Sequence, residues 1–188
     1  PGPLRGDSVA PIWREIMSAC RTLETPARVA YLGPAGTFSE EAALGFFGSS
    51  IVHLPCANFE EVLHATLAGA ADFGVVPVEN STEGVVTRSL DLFLTTPLFI
   101  IGETNLVVRH NLLRRENALE GIEAVCAHPQ ALAQCHGWLA NHLPHAERRP
   151  VASNAEGARM AAADAALAAI ASERAGSEFG LHIVAPAI

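Results

Sequence analysis

The chain has 188 residues, enough for one large domain or two small lobes with a hydrophobic core each. Twelve basic against 20 acidic side chains leave a formal net charge of −8, a field that repels nucleic acid and anionic lipid. All 12 basic residues are Arg and none is Lys, which excludes Schiff-base lysine chemistry and a P-loop lysine.

The apolar stretches fall far short of the roughly 20 residues that cross a bilayer. The N-terminal run lacks a basic-then-apolar signal layout, so a cytoplasmic location is expected. Cys20, Cys56, Cys126 and Cys135 include no C-x-x-C pair and read as buried small hydrophobes rather than a disulfide framework.

In chain order, residues 7 to 24 carry the cleanest helical pattern. Val9, Ile12, Trp13, Ile16, Met17, Cys20 and Leu23 form one apolar stripe, with Asp7 or Ser8 as cap and Pro11 in the first turn. Such a stripe needs cover: from the body of the protein, a second copy, or further helices. Thr25-Pro26 ends the helix and reads as a linker.

From Arg28 the pattern turns to short strands alternating with capped helices. Val29 to Leu32 reads as a strand, and the turn Gly33-Pro34-Ala35-Gly36 opens a helix from Thr37 to Phe47, with Thr37 and Glu40 as a capping box and Gly48 as the stop. Asn58 and Glu61 start a helix ending near Gly69, and Phe73 to Val78 is an apolar strand. After loop 79 to 84 a helix runs from about Val85 to Leu94. Phe99 to Ile101 and Leu106 to Val108 read as strands. Then follow a strand at Ala124 to Ala127, a helix from Pro129 to about Asn141, a strand near Val151 and a helix capped by Ser153 with Glu156. Pattern alone continues that helix through the alanine-rich run 161 to 171, since Ala has the highest helix propensity; a turn at Asp164 before a buried strand, Leu167 to Ala171, is the alternative.

Alternating strands and helices predict an α/β fold with parallel or mixed sheets and helices on both faces. Two sets of units separated near Glu103 suggest two lobes with a cleft, and ligands in such folds sit at the carboxyl ends of strands. Four loops lie there, 33 to 39, 77 to 84, 126 to 131 and 151 to 155, and the first three carry the most polar function. Loop 33 to 39 sets Gly36, Thr37, Phe38 and Ser39 at a helix start suited to a carboxylate, although a turn with an ordinary cap explains it too. Segment 77 to 84, PVENSTEG, places Glu79, Asn80, Ser81, Thr82 and Glu83 after an apolar strand. Glu79 is the candidate general acid or base there, unless it is paired structurally with Arg88 or a backbone donor. At His128-Pro129-Gln130, Gln130 could hold a second carboxylate; alternatively His128 caps the helix and Pro129 fills its first turn. No set of third and fourth ligands completes a zinc site around His128 and Cys126 or His142 and His145. The Gly-x-Ser-x-Gly hydrolase elbow is absent.

Taken together and in order, YLGPAGTFSEEAA (31 to 43), GVVPVENSTEGVV (74 to 86), HPQALAQC (128 to 135) and AAIAS (168 to 172) with FGL (179 to 181) resemble the prephenate dehydratase family. Phe179 stands where that family more usually has Tyr. The resemblance covers about 28 to 188 and favours the strand reading of Leu167 to Ala171. It implies two periplasmic-binding-protein-like lobes, 28 to 103 and 104 to 188, preceded at 1 to 27 by a helix and linker similar to the end of a chorismate mutase domain. The implied reaction is the decarboxylating dehydration of prephenate to phenylpyruvate in phenylalanine biosynthesis, with no cofactor and no metal.

On this resemblance Thr37, Glu79, Asn80 and Ser81 are the expected catalytic residues. Gly36, Phe38, Ser39, Gln130 and Ser153 are the expected substrate-binding residues. The family's Thr-Arg-Phe motif, with its essential threonine, is expected beyond Ile188, since Thr87-Arg88-Ser89 lacks the Phe. The fragment alone is therefore expected to have little dehydratase activity and no mutase activity. A homodimer, and phenylalanine as effector of the full-length protein, are the expected partners. A non-catalytic, two-lobed small-anion binding domain is the alternative.

Overall fold

The computed structural model describes residues 3, 5–82 and 84–188, which form two compact units: the first contains Pro1–Gly33 and Ser39–Leu106, the second Pro34–Phe38 and Val107–Ile188. No described helix is long and apolar enough to cross a membrane.

The first unit opens with α1 (Gly6–Thr22), capped at Arg5 without a side-chain hydrogen bond and carrying Pro11 in its interior rather than its first turn. The apolar stripe is not buried here. Val9, Ile12, Trp13, Ile16 and Met17 are between 40% and 58% exposed, whereas Ser18 is buried. A polar edge fastens the helix instead: Glu15 accepts from the Ser49 hydroxyl at 2.6 Å, and Ser18 Oγ accepts from the Ser50 amide at 3.1 Å. Gly48, at φ +85°, lies so close to Ser18 that a Cβ there would meet its side chain at 2.5 Å. Cys20 is exposed, against the expectation that all four thiols are buried.

The sheet of this unit has the order β2-β1-β3, all parallel: β1 (Arg28–Leu32), with α2 (Phe38–Phe47) following it, β2 (Val52–Cys56), α3 (Phe59–Leu67) and β3 (Phe73–Val75). Period-two alternation along β1 divides its core between two faces. Ala30 packs with Cys56, Val62 and Ala71 on the α3 side, while Val29 and Tyr31 pack with Ala43 and Phe47 of α2 on the other. Asn58 caps α3 by accepting from the Glu61 amide at 2.8 Å, as its sequence predicts. A two-residue hairpin, β4 (Glu79–Asn80) against β5 (Gly84–Val85), leads into α4 (Thr87–Thr95). The predicted strands at 99 to 101 and 106 to 108 do not form. Residues 97–110 have no regular structure, and Phe99 is 94% exposed, because no neighbouring strand supplies a ladder to these β-prone residues.

The second unit is a five-stranded mixed sheet of order β10-β6-β9-β7-β8. Its elements are β6 (Asn111–Arg114), β7 (Ala124–Ala127), α5 (Pro129–Gln134), α6 (His136–His142), β8 (Glu147–Pro150), α7 (Asn154–Ala163), β9 (Leu167–Ala171), α8 (Glu173–Phe179) and β10 (His182–Ala185). Strand β7 is parallel to both β8 and β9, and β6 runs antiparallel to β9 and β10. The alanine-rich run is a strand from Leu167. Asp164 turns the chain by accepting from the Ala166 amide at 2.9 Å, and every residue of β9 is buried. Small side chains suit it because α7 sits tight on the sheet: a Cβ on Gly157 would lie 2.6 Å from the Cys126 carbonyl oxygen. The single predicted helix from Pro129 is two short ones that meet at Cys135.

Two buried or half-buried guanidinium groups brace this unit. Arg114 donates to the carbonyls of Ala118, Glu120 and Ala165, and Arg148 to those of Ala146, Leu139 and Leu143. Charge-assisted bonds to backbone carbonyls make these arginines internal ties rather than ligands for an anion.

Candidate functional site

In the second unit the sequence-predicted residues gather at the carboxyl ends of the parallel strands. Loops 128–130, 151–153 and 172 follow β7, β8 and β9 directly. His128 Nδ1 accepts from the Gln130 amide at 3.3 Å and Pro129 occupies the first turn of α5, so the capping alternative is realised. The His128 amide in turn donates to Asn154 Oδ1 at 2.9 Å, tying that turn to the start of α7. Ser153 caps α7 through the Glu156 amide at 3.1 Å.

The segment Pro34–Phe38 is fastened to α8. Ser172 Oγ donates to the Gly36 carbonyl at 3.2 Å and accepts from the Ala175 amide at 3.1 Å, capping α8 with the same atom. Gly36 adopts φ +83°, and a Cβ on it would stand 3.3 Å from Ala175 Cα and 3.5 Å from the Phe179 ring. Glycine is required there both by conformation and by proximity. Two sequence blocks 136 residues apart thus meet, and Phe179, where Tyr was the commoner residue, forms part of the wall behind Gly36. Thr37 and Phe38 are half-buried, and the Phe38 ring meets His110 edge-on with centroids 5.9 Å apart.

In the first unit the polar segment is organised by local geometry. Glu79 and Asn80 pair with Val85 and Gly84, and Asn80 Oδ1 accepts from the Thr82 amide at 2.8 Å. Glu79 and Ser81 are exposed and Asn80 is half-buried; Glu83 lies outside the described residues. Glu79 does not hold Arg88, whose guanidinium engages Glu60 of α3. Ser39 is half-buried in the first turn of α2. Behind that turn the buried Glu40 lies 3.4 Å from His53 Nδ1, which is also 3.3 Å from the Tyr31 hydroxyl.

Reading the sequence missed His110, Gln134, Asn154 and Ser172. His110 was obscured because the strand beside it was predicted several residues too early. Gln134 follows Gln130 by one helical turn, and that spacing was its available signal. Among the described residues no group of three or more His, Cys, Asp or Glu could hold a metal ion. Burial pushes the Cys135 thiol up to about 11 and raises Cys126 and Cys56 as well, so none of these three is poised as a thiolate. A groove of about 260 Å³ in the first unit, lined by Arg14, Met17, Arg21, Phe46, Phe47 and Phe73 among others, contains none of the predicted residues.

A sequence profile of prephenate dehydratases matches residues 29–188. A bifunctional chorismate mutase/prephenate dehydratase of Stutzerimonas stutzeri is 47% identical over all of this chain and 52% of its own length. The crystal structure of a prephenate dehydratase from Arthrobacter aurescens, in complex with L-Phe, superposes with a TM-score of 0.77 at 36% identity, over 86% of this chain and 55% of that one. A structure described as GqqA, a novel type of quorum quenching acylase, matches with a TM-score of 0.77 at 27% identity, over 86% and 59%. The chain spans about half the length of the curated relatives it matches.

Proposed function

The chain belongs to the prephenate dehydratase family, and from that premise we propose that the protein containing it converts prephenate to phenylpyruvate, carbon dioxide and water. The reaction is aromatisation. The bond to the ring carboxylate breaks and its electron pair enters the ring, the C4–oxygen bond breaks with its pair on oxygen, and one proton completes water. Prephenate is a dianion and phenylpyruvate a monoanion, so the charges balance with that single proton. The ring supplies the driving force, and no redox or covalent cofactor is called for. The protein's part is to orient the dianion and stabilise the departing oxygen, a contribution of roughly 10² to 10⁴ from proton donation alone.

Support comes above all from the fastening of Gly36 to Ser172 and Ala175, which draws two of the family-like blocks together beside the carboxyl end of β9. In the second unit Gly36, Thr37, Phe38, Gln130 and Ser153 are assigned to substrate orientation. In the first, Ser39, Asn80 and Ser81 are assigned as hydrogen-bond donors and Glu79 as a proton-handling group. The threonine of a Thr-Arg-Phe motif beyond Ile188 is assigned as the proton donor. Helix α1 is assigned as the end of a chorismate mutase domain, the whole protein as a cytoplasmic homodimer answering to phenylalanine.

Full-length protein incubated with prephenate is expected to form phenylpyruvate and carbon dioxide in equal amounts. Saturable binding of prephenate without product would instead establish the small-anion binding domain. An acylated quorum signal serves as a control, expected to remain intact.

A further inference from the structure

Among the buried polar atoms of the second unit that make no hydrogen bond are His110 Nδ1 and Gln130 Nε2. Native proteins leave few such atoms, since each forfeits the hydration it had in the unfolded chain, so a pair on neighbouring side chains calls for an explanation. The two are neighbours through Gln134. His110 Nε2 lies 2.6 Å from Gln134 Oε1, and Gln130 and Gln134 stand one turn apart on α5, on the same face. The Phe38 ring closes on the edge of the imidazole from the segment that carries Thr37.

The hydrogen-bond inventory fixes what this pair offers. An amide oxygen only accepts, so His110 Nε2 carries the hydrogen of that bond, and in the neutral ring Nδ1 is then a bare acceptor. Gln130 Nε2 can only donate. One open acceptor and one open donor, linked through Gln134, match a group that gives a hydrogen and receives one at the same atom. A hydroxyl is the smallest such group. A carboxylate, which only accepts, would satisfy Gln130 and be repelled by the lone pair on Nδ1.

We propose that His110 and Gln130 form the seat for the ring hydroxyl of the substrate, with Gln134 as the positioning residue that sets the imidazole tautomer. The assignment rests on the reading of the protein as a prephenate dehydratase, because the one hydroxyl of prephenate is the group that departs. The hydroxyl donates to Nδ1 and accepts from Gln130. As the C4–oxygen bond lengthens and its electron pair moves to oxygen, the bond from Gln130 strengthens, while the proton that completes water comes from the separate acid assigned above. Neither His110 nor Gln130 changes its own protonation. This also revises the role expected for Gln130 from the sequence, from carboxylate ligand to leaving-group ligand.

The test uses the full-length protein and two saturated, unreactive analogues of prephenate that differ only in the presence of the 4-hydroxyl. Their dissociation constants are measured by calorimetry for the wild type, His110→Phe, His110→Asn and Gln130→Met, each checked for an unchanged melting temperature. The wild type is expected to bind the hydroxylated analogue about 10- to 100-fold more tightly, as for a buried pair left unsatisfied by the other ligand. His110→Phe and Gln130→Met should bind the two analogues within about twofold of one another. His110→Asn, whose amide oxygen can stand near the place of Nδ1, should regain part of the preference, which a merely structural role for the ring would not produce. Should His110→Phe fail to fold, Gln130→Met decides alone. A preference that survives in the variants overturns the proposal, as does a wild type that binds the analogues equally or not at all. Prephenate turnover by the wild type is measured alongside: its absence defeats the functional reading, whereas turnover without hydroxyl preference defeats only the seat.

Discussion

The two units solve the same problem differently. Both present polar loops after parallel strands, but the second ties those loops to one another over long sequence distances: Ser172 to Gly36, Asn154 to His128, Gln134 to His110. In the first, the comparable segment is shaped by contacts within itself, a two-residue ladder and the turn at Asn80. Three of the five strands of the second sheet are buried along their whole length and can support long-range ties, whereas the strands β2 and β3 of the first are only partly buried, and apolar residues of that unit outside its sheet, Phe99, Ile100 and Leu94, are exposed. Preorganisation therefore resides in the second unit, and substitutions there should reach both stability and function.

The largest break should come from Arg114→Met. Three carbonyls lose the charged donor that the buried Arg114 supplies, and unfolding in urea should show a loss of about 3 kcal/mol or more. A change of less than 1 kcal/mol would mean that water replaces the guanidinium. Gly36→Val should cost about 2 kcal/mol, from a branched residue at positive φ and from crowding against Ala175, and it should lower kcat/KM further than stability alone explains.

Ser172→Ala removes a helix cap and the tie to Gly36 together, and is expected to cost about 1 kcal/mol by thermal unfolding. If the tie organises the loop, KM for prephenate should rise in this variant, while Asn58→Ala, a cap of the first unit, should lose comparable stability with no change in KM. That pair sharpens the contrast between the units directly.

The smallest effect belongs to the ion pair Arg28–Asp72 of the first unit, 2.7 Å long and partly exposed. Hydrogen bonds from the Arg28 side chain and amide hold the Asp72 carboxyl below its usual range. With the folded value depressed, the stabilisation is fully present above the ordinary aspartate range and fades as pH falls through the folded value. Exposure keeps it small. Asp72→Asn should therefore narrow the difference in stability between pH 7 and acid, and an unchanged acid profile would show that the pair contributes nothing.

Local chemistry was legible without coordinates. Asn58 with Glu61, Ser153 with Glu156, and Pro129 after a capping His128 are short-range patterns, and each forms as its residues dictate. The four ordered blocks likewise carried the family. Partners far along the chain were not legible. Nothing near Ser172 announces Gly36, and nothing near His110 announces Gln134, because a hydrogen bond across the fold leaves no periodicity in either segment. The α1 stripe shows the reverse limit: its pattern predicts a helix correctly, yet which face touches the body is decided by Glu15 and Ser18 meeting Ser49 and Ser50.

What this sequence determines by itself is therefore the alternation of elements, their caps and the identity of the loops that carry polar groups, since all of these depend on residues within a few positions of each other. Tertiary structure decides the rest. Alanine-rich Leu167–Ala171 becomes a strand because β6 and β7 both offer it a ladder, a gain that outweighs helix propensity worth less than about 1 kcal/mol per residue. The β-prone residues near Phe99 stay without regular structure because no strand offers them one. The same rule, that backbone and side-chain polar groups take the state in which they are paired, counts His110 Nδ1 and Gln130 Nε2 among its exceptions, with Ser89 Oγ of the first unit.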